Sequence, residues 1–428
     1  MAQDEQSARA ASVSDRYWSA PRIQSEPPTL APKVASQLAQ ALTIENETLQ
    51  VTWVRGKVSV GFKSSTNLFL DGNFPIMGGF GRQITVSDKT FGQGQGIEIS
   101  YLDGSRDTLM LFPKQPFLFL RTSFTNSDAQ PLVISFVRPF QADVKLSKPA
   151  AQLKAFGSAG LTALDKNPGS YDWLAVVEPE SRNGVVFGYL TSERGCGVLF
   201  DKVDGDAVRV GAQIDYGRLV IAPGKSAESE TLAIGYFDDA RLGLEAYADA
   251  IAKNLNIHLP SQPTVYCTWY SQPHGGAADE NYFYTNAMFL EKNLSPFGFS
   301  VAQIDDGWQS GFKRTSPSSP KKGFLTNNPS GSYPSGMKAT AGNIKSLGLK
   351  PGIWFMPFAG TSADPYFTNH LDWFAKTPDG QPYDTSWGGT CLDMTYDPAR
   401  EHTREVVNRI CNEWGYQYIK IDGLWTGT

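Results

Sequence analysis

Near its end the chain carries "YQYIKID" (416–422), which sets a lysine and an aspartate two residues apart among β-branched and aromatic residues. Side chains at i and i+2 of a strand share a face, so Tyr418, Lys420 and Asp422 fall on one side and Ile419 and Ile421 on the other. A lone Lys-x-Asp fits a structural ion pair. It also fits a reactive carboxylate kept ionised by a neighbouring ammonium. The same polarity recurs in "CTWY" (267–270), "IDDGWQ" (304–309) and "GIWFMP" (352–357), which add Trp269, Asp305, Asp306, Trp308 and Trp354. Carboxylates beside a lysine and several indoles suit glycoside chemistry. There one carboxylate attacks or stabilises an oxocarbenium-like centre, the other polar groups hold hydroxyls, and the indoles stack on the sugar ring.

Other chemistries are poorly served. The four cysteines, Cys196, Cys267, Cys391 and Cys411, and the four histidines are scattered, which argues against a zinc site or a disulfide framework. No cofactor and no metal are expected. Gly92, Gly94 and Gly96 in "FGQGQG" do not open a helix after a strand, so a turn between strands is the better reading than a phosphate loop. A net charge of −5 leaves no basic stripe for a nucleic acid, and no run of 18 apolar residues suggests a membrane span. The opening residues lack a basic and an apolar region, so no secretory leader is seen. The compartment stays open: cytoplasm by default, periplasm or exterior if a leader has been removed. Composition gives no oligomeric state. With 12% aromatic residues, including 10 Trp and 17 Tyr, the chain is rich in rings that can face sugars.

Two domains are expected in 428 residues. Residues 1–40, rich in Ala, Ser, Gln and Pro, read as a flexible tail. Over 41–240, short β-type runs broken by Gly, Asp and Asn, among them "LQVTWVRGKVSVGF" and "FLFLRTSFTNSD", predict a β-sandwich. "DDARLGLEAYADAIAKNL" then places Leu242, Tyr247, Ile251 and Leu255 at helical spacing, a linker helix over 241–260. From 261 to 428 strand-like and helical runs alternate, which predicts parallel strands with right-handed crossovers. The polar residues singled out above end those strands, at 267–270, 305–308, 354–356 and 420–422. In a (β/α)8 barrel that edge builds the active site, so one convergent pocket is expected.

At "CTWY", "IDDGWQ", "LGLKPGIWFMP", "LDMTYDPAREH" and "YIKID" the chain resembles glycoside hydrolase clan D, most closely family 36, the α-galactosidase and raffinose-synthase-like family. The resemblance covers about residues 41–428 and implies a β-sandwich followed by the first half of a (β/α)8 catalytic barrel. It implies a retaining hydrolase of terminal α-galactosides, with an oligosaccharide or glycoconjugate as partner. Asp422 is then the catalytic nucleophile. Lys420 donates to a ring hydroxyl, Asp305 and Asp306 accept from the 4- and 6-hydroxyls, and Trp269, Trp308 and Trp354 wall the sugar. An α-N-acetylgalactosaminidase, a raffinose-synthase-like galactosyl transferase and a carbohydrate-binding protein without turnover are the alternatives. Two departures are visible: Met356 stands where many members have a glutamate, and "GLW" after Asp422 is less polar than usual. The resemblance also implies that the general acid/base lies on a later strand, beyond Thr428. Residues 1–428 alone are then expected to be inactive and poorly soluble.

Overall fold

The computed structural model describes residues 41–74, 79–271, 276–309, 331–360, 367, 369–385 and 389–427. The tail read over 1–40 lies outside the described residues. The chain divides into two compact units, Met1–Leu259 and Pro260–Thr428. Among the described residues no helix is long and apolar enough to cross a membrane.

Two antiparallel sheets make the first unit. One orders its strands Leu42–Glu45, Leu49–Val54, Lys57–Phe62, Leu68–Asn73, Leu132–Val144, Ala207–Ile221, Cys196–Asp204 and Ser170–Tyr171. The other includes Trp173–Val177, Gly184–Tyr189, Leu232–Phe237, Leu118–Thr125, Arg106–Leu111 and Gly92–Ser100 in that spatial order. Period-2 alternation aims Val51, Trp53, Val58 and Val60 of the first sheet at Ile97, Leu109, Leu118 and Leu120 of the second, in one shared core. Central strands of the second sheet are buried on both faces. Their other side chains, Met110, Phe119, Val186 and Ala233, meet Tyr247 and Ala250 of the helix Ala240–Leu255.

That helix was read from the sequence as a linker over 241–260. It instead belongs to the first unit. Tyr247 lies where a Cβ on Gly188 would come within 2.4 Å of its ring, and its hydroxyl donates to the Tyr189 carbonyl at 2.6 Å. Asp239 caps the start of the helix and Asn256, at φ 51°, closes it. The glycines of "FGQGQG" also differ from the expected turn. Only Gly92 has a turn-type φ, 82°, while Gly94 and Gly96 lie inside the strand, where a Cβ would strike the Leu111 carbonyl or Val86.

The second unit alternates β1 (Val265–Cys267), α1 (Glu280–Asn293), β2 (Val301–Ile304), α2 (Met337–Ser346), β3 (Lys350–Phe355), α3 (Asp397–Asn408) and β4 (Tyr418–Ile421). The four strands pair in parallel in the order β1-β2-β3-β4, with Gln303 opposite Gly352 and Trp354 opposite Lys420. This is the βα alternation of half a (β/α)8 barrel. Outward residues Ala302, Ile304, Ile353 and Phe355 pack on Phe283, Ala287, Met337, Ile344 and Val406 of the helices. Ile419 joins that layer as expected, whereas Ile421 is half exposed. Asp279 caps α1 by accepting from the Tyr282 N–H, and Pro398 stands in the first turn of α3.

Trp354 and Lys420 lie inside β3 and β4, whereas Trp269, Asp305 and Asp422 follow the ends of β1, β2 and β4. β1 gives way to a 3₁₀ turn over Thr268–Tyr270, which carries Trp269 and Tyr270 off the strand. β2 ends at Ile304 and β4 at Ile421, so Asp305 and Asp422 are each the first residue beyond. Between β3 and α3 a small antiparallel sheet forms from Ala359–Gly360, Gly389–Cys391 and Asp384–Thr385, over a core of Phe367, Phe374 and Leu392.

Candidate active site

Asp305 is the most enclosed carboxylate at the strand ends, 1% exposed. Its Oδ2 accepts from Lys420 Nζ at 2.8 Å, Gln303 Nε2 at 2.8 Å and the Cys267 thiol at 3.2 Å. Its Oδ1 accepts from the Asp306 N–H at 2.9 Å. The Thr268 hydroxyl takes the Asp305 N–H at 2.9 Å and itself donates to the Gly276 carbonyl. A buried carboxylate is tolerable only with such partners.

This pairing corrects one expectation. The ammonium of Lys420 is held by Asp305, at the end of β2, and not by Asp422 two residues along its own strand. Reaching Asp305 from β4 means crossing β3, where Gly352 stands between Gln303 of β2 and Tyr418 of β4. A Cβ there would lie 2.9 Å from Gln303 Cβ and 3.1 Å from Tyr418 Cδ1, so the missing side chain lets β2 and β4 residues meet over β3.

The protonation states follow from the burial. Burial acts to lower the Lys420 ammonium, but the hydrogen bond and charge of Asp305 outweigh it and hold the group above the ordinary lysine value. Burial pushes the Cys267 thiol up to about 11, with Asp305 adding to the rise and the Trp269 backbone opposing it. At neutral pH Lys420 is therefore a cation and Cys267 a neutral donor. Lys420, its side chain 30% exposed, reaches a concavity of about 580 Å³ whose lining joins Cys267, Tyr270, Gln303 and Tyr418 to the apolar Leu290, Leu294 and Phe299 and includes none of Asp305, Asp306 and Asp422. The Tyr270 ring centre lies 6.0 Å from its Nζ.

Asp422 stands one step beyond, at the C-terminal end of β4. Its N–H donates to the Phe355 carbonyl at 3.2 Å, continuing the ladder to β3. Its Oδ1 accepts from the Gly423 N–H at 2.8 Å and its Oδ2 from Trp354 Nε1 at 2.9 Å. Gly423 has φ 61°, and a Cβ on it would come within 2.2 Å of the Met356 methyl. Met356, fully buried where the resemblance has a glutamate, thus supports the turn after Asp422 from beneath.

The remaining expected residues are placed as follows. Asp306 is 8% exposed and its Oδ1 accepts from Gln309 Nε2 at 2.7 Å. Trp269 is half exposed. Trp308 and Trp354 are each 1% exposed, so neither offers an open indole face. Trp308 instead donates from Nε1 to the Trp354 carbonyl at 2.8 Å. Cys267, Gln303, Thr268 and Gln309 were not assigned site roles from the sequence, although Gln303 sits at i−2 from Asp305 and so shares its face. Among the described residues no group of three His, Cys, Asp or Glu side chains could hold a metal.

Of the comparisons with known proteins, the family model falls within the second unit, and the structural matches extend over both. Residues 277–424 match the melibiase family model. The resemblance to glycoside hydrolase clan D and its family 36 holds. This melibiase stretch includes Asp305, Asp306, Lys420 and Asp422. A curated relative, the A type blood α-D-galactosamine galactosaminidase of Flavonifractor plautii, is 25% identical over 226 residues, 48% of this chain and 19% of that protein. The fold resembles the α-galactosidase of Lactobacillus brevis, with a TM-score of 0.62 and 14% identity over 89% of this chain and 63% of the other. It resembles equally a family 36 α-galactosidase of Geobacillus stearothermophilus, at 0.62 and 14% over 90% and 65%. Variants of that enzyme have been solved with raffinose and with stachyose. The chain therefore spans less than two thirds of the length of the proteins it matches.

Proposed function

We propose that this chain belongs to a retaining glycoside hydrolase that releases terminal α-galactosyl groups by double displacement. In the first step an oxygen of Asp422 bonds to the anomeric carbon while the glycosidic bond breaks toward the aglycone oxygen, which takes a proton from a general acid. In the second step water attacks the anomeric carbon, gives its proton to the same group as base, and the ester bond pair returns to Asp422. Lys420 donates to a ring hydroxyl. Asp306, with the less engaged Oδ1 of Asp305, accepts from the 4- and 6-hydroxyls.

The observation that carries this reading is the Lys420–Asp305 pair at 2.8 Å, standing at the strand ends with Asp422. An ammonium has three N–H groups. A buried carboxylate that fixes one aims the rest, which suits recognition of an axial hydroxyl better than a mere structural pair. A site built around such bonds strongly penalises a sugar lacking the matching hydroxyl. Raffinose and stachyose, bound by the Geobacillus stearothermophilus enzyme, indicate the substrate class.

A second reading, action on a 2-amino-2-deoxygalactoside, is favoured by the galactosaminidase relative. The test is kcat/KM of the full-length protein on aryl α-galactoside, α-galactosaminide and α-N-acetylgalactosaminide. The first reading expects the galactoside to lead by at least about tenfold, the scale of one lost polar contact. A reversed order supports the second. Galactose binding without turnover of any of them refutes both.

A further inference from the structure

Trp354 was expected to wall the sugar, yet its indole is enclosed. Its Nε1–H is spent on Asp422 Oδ2 at 2.9 Å. We infer that Trp354 is a positioning residue for the nucleophile, one that fixes the plane of the Asp422 carboxylate and stabilises its return as a leaving group. The inference rests on Asp422 being that nucleophile.

The geometry supports it in three ways. The terminal torsion of aspartate is broad and roughly two-fold, so a carboxylate is not aimed by its rotamer alone. Here each oxygen has its own donor, Gly423 N–H on Oδ1 and Trp354 Nε1–H on Oδ2, and two donors on opposite ends define a plane. The donor is itself anchored. Trp308 Nε1–H holds the Trp354 carbonyl at 2.8 Å, and Trp308 in turn packs edge-on against Trp414 at 5.6 Å between ring centres. The other donor belongs to a turn seated on the Met356 methyl.

The consequence for the two chemical steps is unequal. Forming the ester removes charge from Asp422, so a donor on its oxygen favours the starting carboxylate and gives little help. Breaking the ester restores the charge as the bond pair returns to the carboxylate, and there the donor favours the departing group. Losing the indole N–H should therefore slow deglycosylation more than glycosylation.

The experiment compares the full-length wild type with Trp354→Phe on 2,4-dinitrophenyl α-galactoside. The expected result is a fall in kcat of about 10- to 100-fold, the worth of a hydrogen bond to a charged group. KM should fall with it and plateau kcat/KM should change little, because the ester accumulates. Mass spectrometry should then find galactose on Asp422 in the steady state, and the acid limb of kcat/KM should move to higher pH. Unchanged kcat and KM, or a fall in kcat/KM without accumulated ester, would overturn the inference. If Trp354→Phe fails to fold, benzothienylalanine at 354 keeps the shape, lacks the N–H, and is read against the same two outcomes. The wild type is also treated with a trinitrophenyl 2,2-difluoro-α-galactoside, which traps the ester. Labelling elsewhere than Asp422 removes the nucleophile assignment and this inference with it, whereas labelling at Asp422 with normal Trp354→Phe kinetics removes the inference alone.

Discussion

Replacing Lys420 by Met would leave the Asp305 carboxylate, its side chain 2% exposed, without the one cation paired with it among the described residues. At 2.8 Å the pair has a gross attraction of roughly 6 kcal/mol at an effective dielectric of about 20. Desolvation of the carboxylate offsets much of that, and the Lys420 side chain, 30% exposed, is partly screened. A net coupling of about 2–3 kcal/mol remains, in line with hydrogen bonds to charged groups. Lys420→Met alone should cost more, about 3–5 kcal/mol, because it leaves the buried Asp305 carboxylate, among the described residues, with Gln303, Cys267 and the Asp306 N–H as partners. Asp305→Asn removes the charge but turns an amide NH₂ toward either the Asp306 N–H or the donors at Oδ2. The assay is a double-mutant cycle by urea unfolding, following the transition of the second unit, with Lys420→Met, Asp305→Asn and the pair combined. The double variant should be less destabilised than the sum of the singles by the coupling above. Additivity within about 0.5 kcal/mol would refute the claim that these two groups are energetically one.

Two further outcomes are expected away from the reacting atoms. Burial pushes the Asp107 carboxyl up to about 6, against the hydrogen bonds it accepts from Thr122 and Tyr101. Because its folded value is raised above the unfolded one, its contribution is fully present below about pH 4 and is lost as pH rises through about 6, a swing of about 3 kcal/mol. Stability of the wild type relative to Asp107→Asn should decline over that window, and parallel pH curves would contradict the assignment. Gly352→Val should push Gln303 and Tyr418 apart and cost about 1–3 kcal/mol of overpacking, visible as a lowered Tm; an unchanged Tm would show that β2 and β4 do not depend on that close approach.

The alternation of the second unit was legible because the run lengths and the switch between periods of 2 and 3.6 survive in the sequence. The sharing of a face by Tyr418, Lys420 and Asp422 follows from strand geometry alone. The partner of Lys420 was not legible. It lies 115 residues away, on a strand separated from β4 by β3. The two enclosed tryptophans were misjudged for a similar reason: an indole at a strand end reads as a platform until its N–H is known to be engaged. The helix Ala240–Leu255 was correctly read as a helix, but its apolar face does not reveal which sheet it covers. Here Tyr247 settles against Gly188 of the first unit. Met356 illustrates the reverse case, where a departure from the resemblance has a local physical use under Gly423.

Double displacement through Asp422 is most directly tested by Asp422→Gly in the full-length protein. The substitution removes the carboxylate proposed to attack and, on that proposal, leaves space on the face of the sugar opposite the departing aglycone. Hydrolysis of aryl α-galactoside should fall below detection while the fold persists by circular dichroism. Added azide should restore aryl release and yield β-galactosyl azide, since the azide enters from the vacated side. An α-galactosyl azide, or residual hydrolysis near the wild-type rate, would contradict the account.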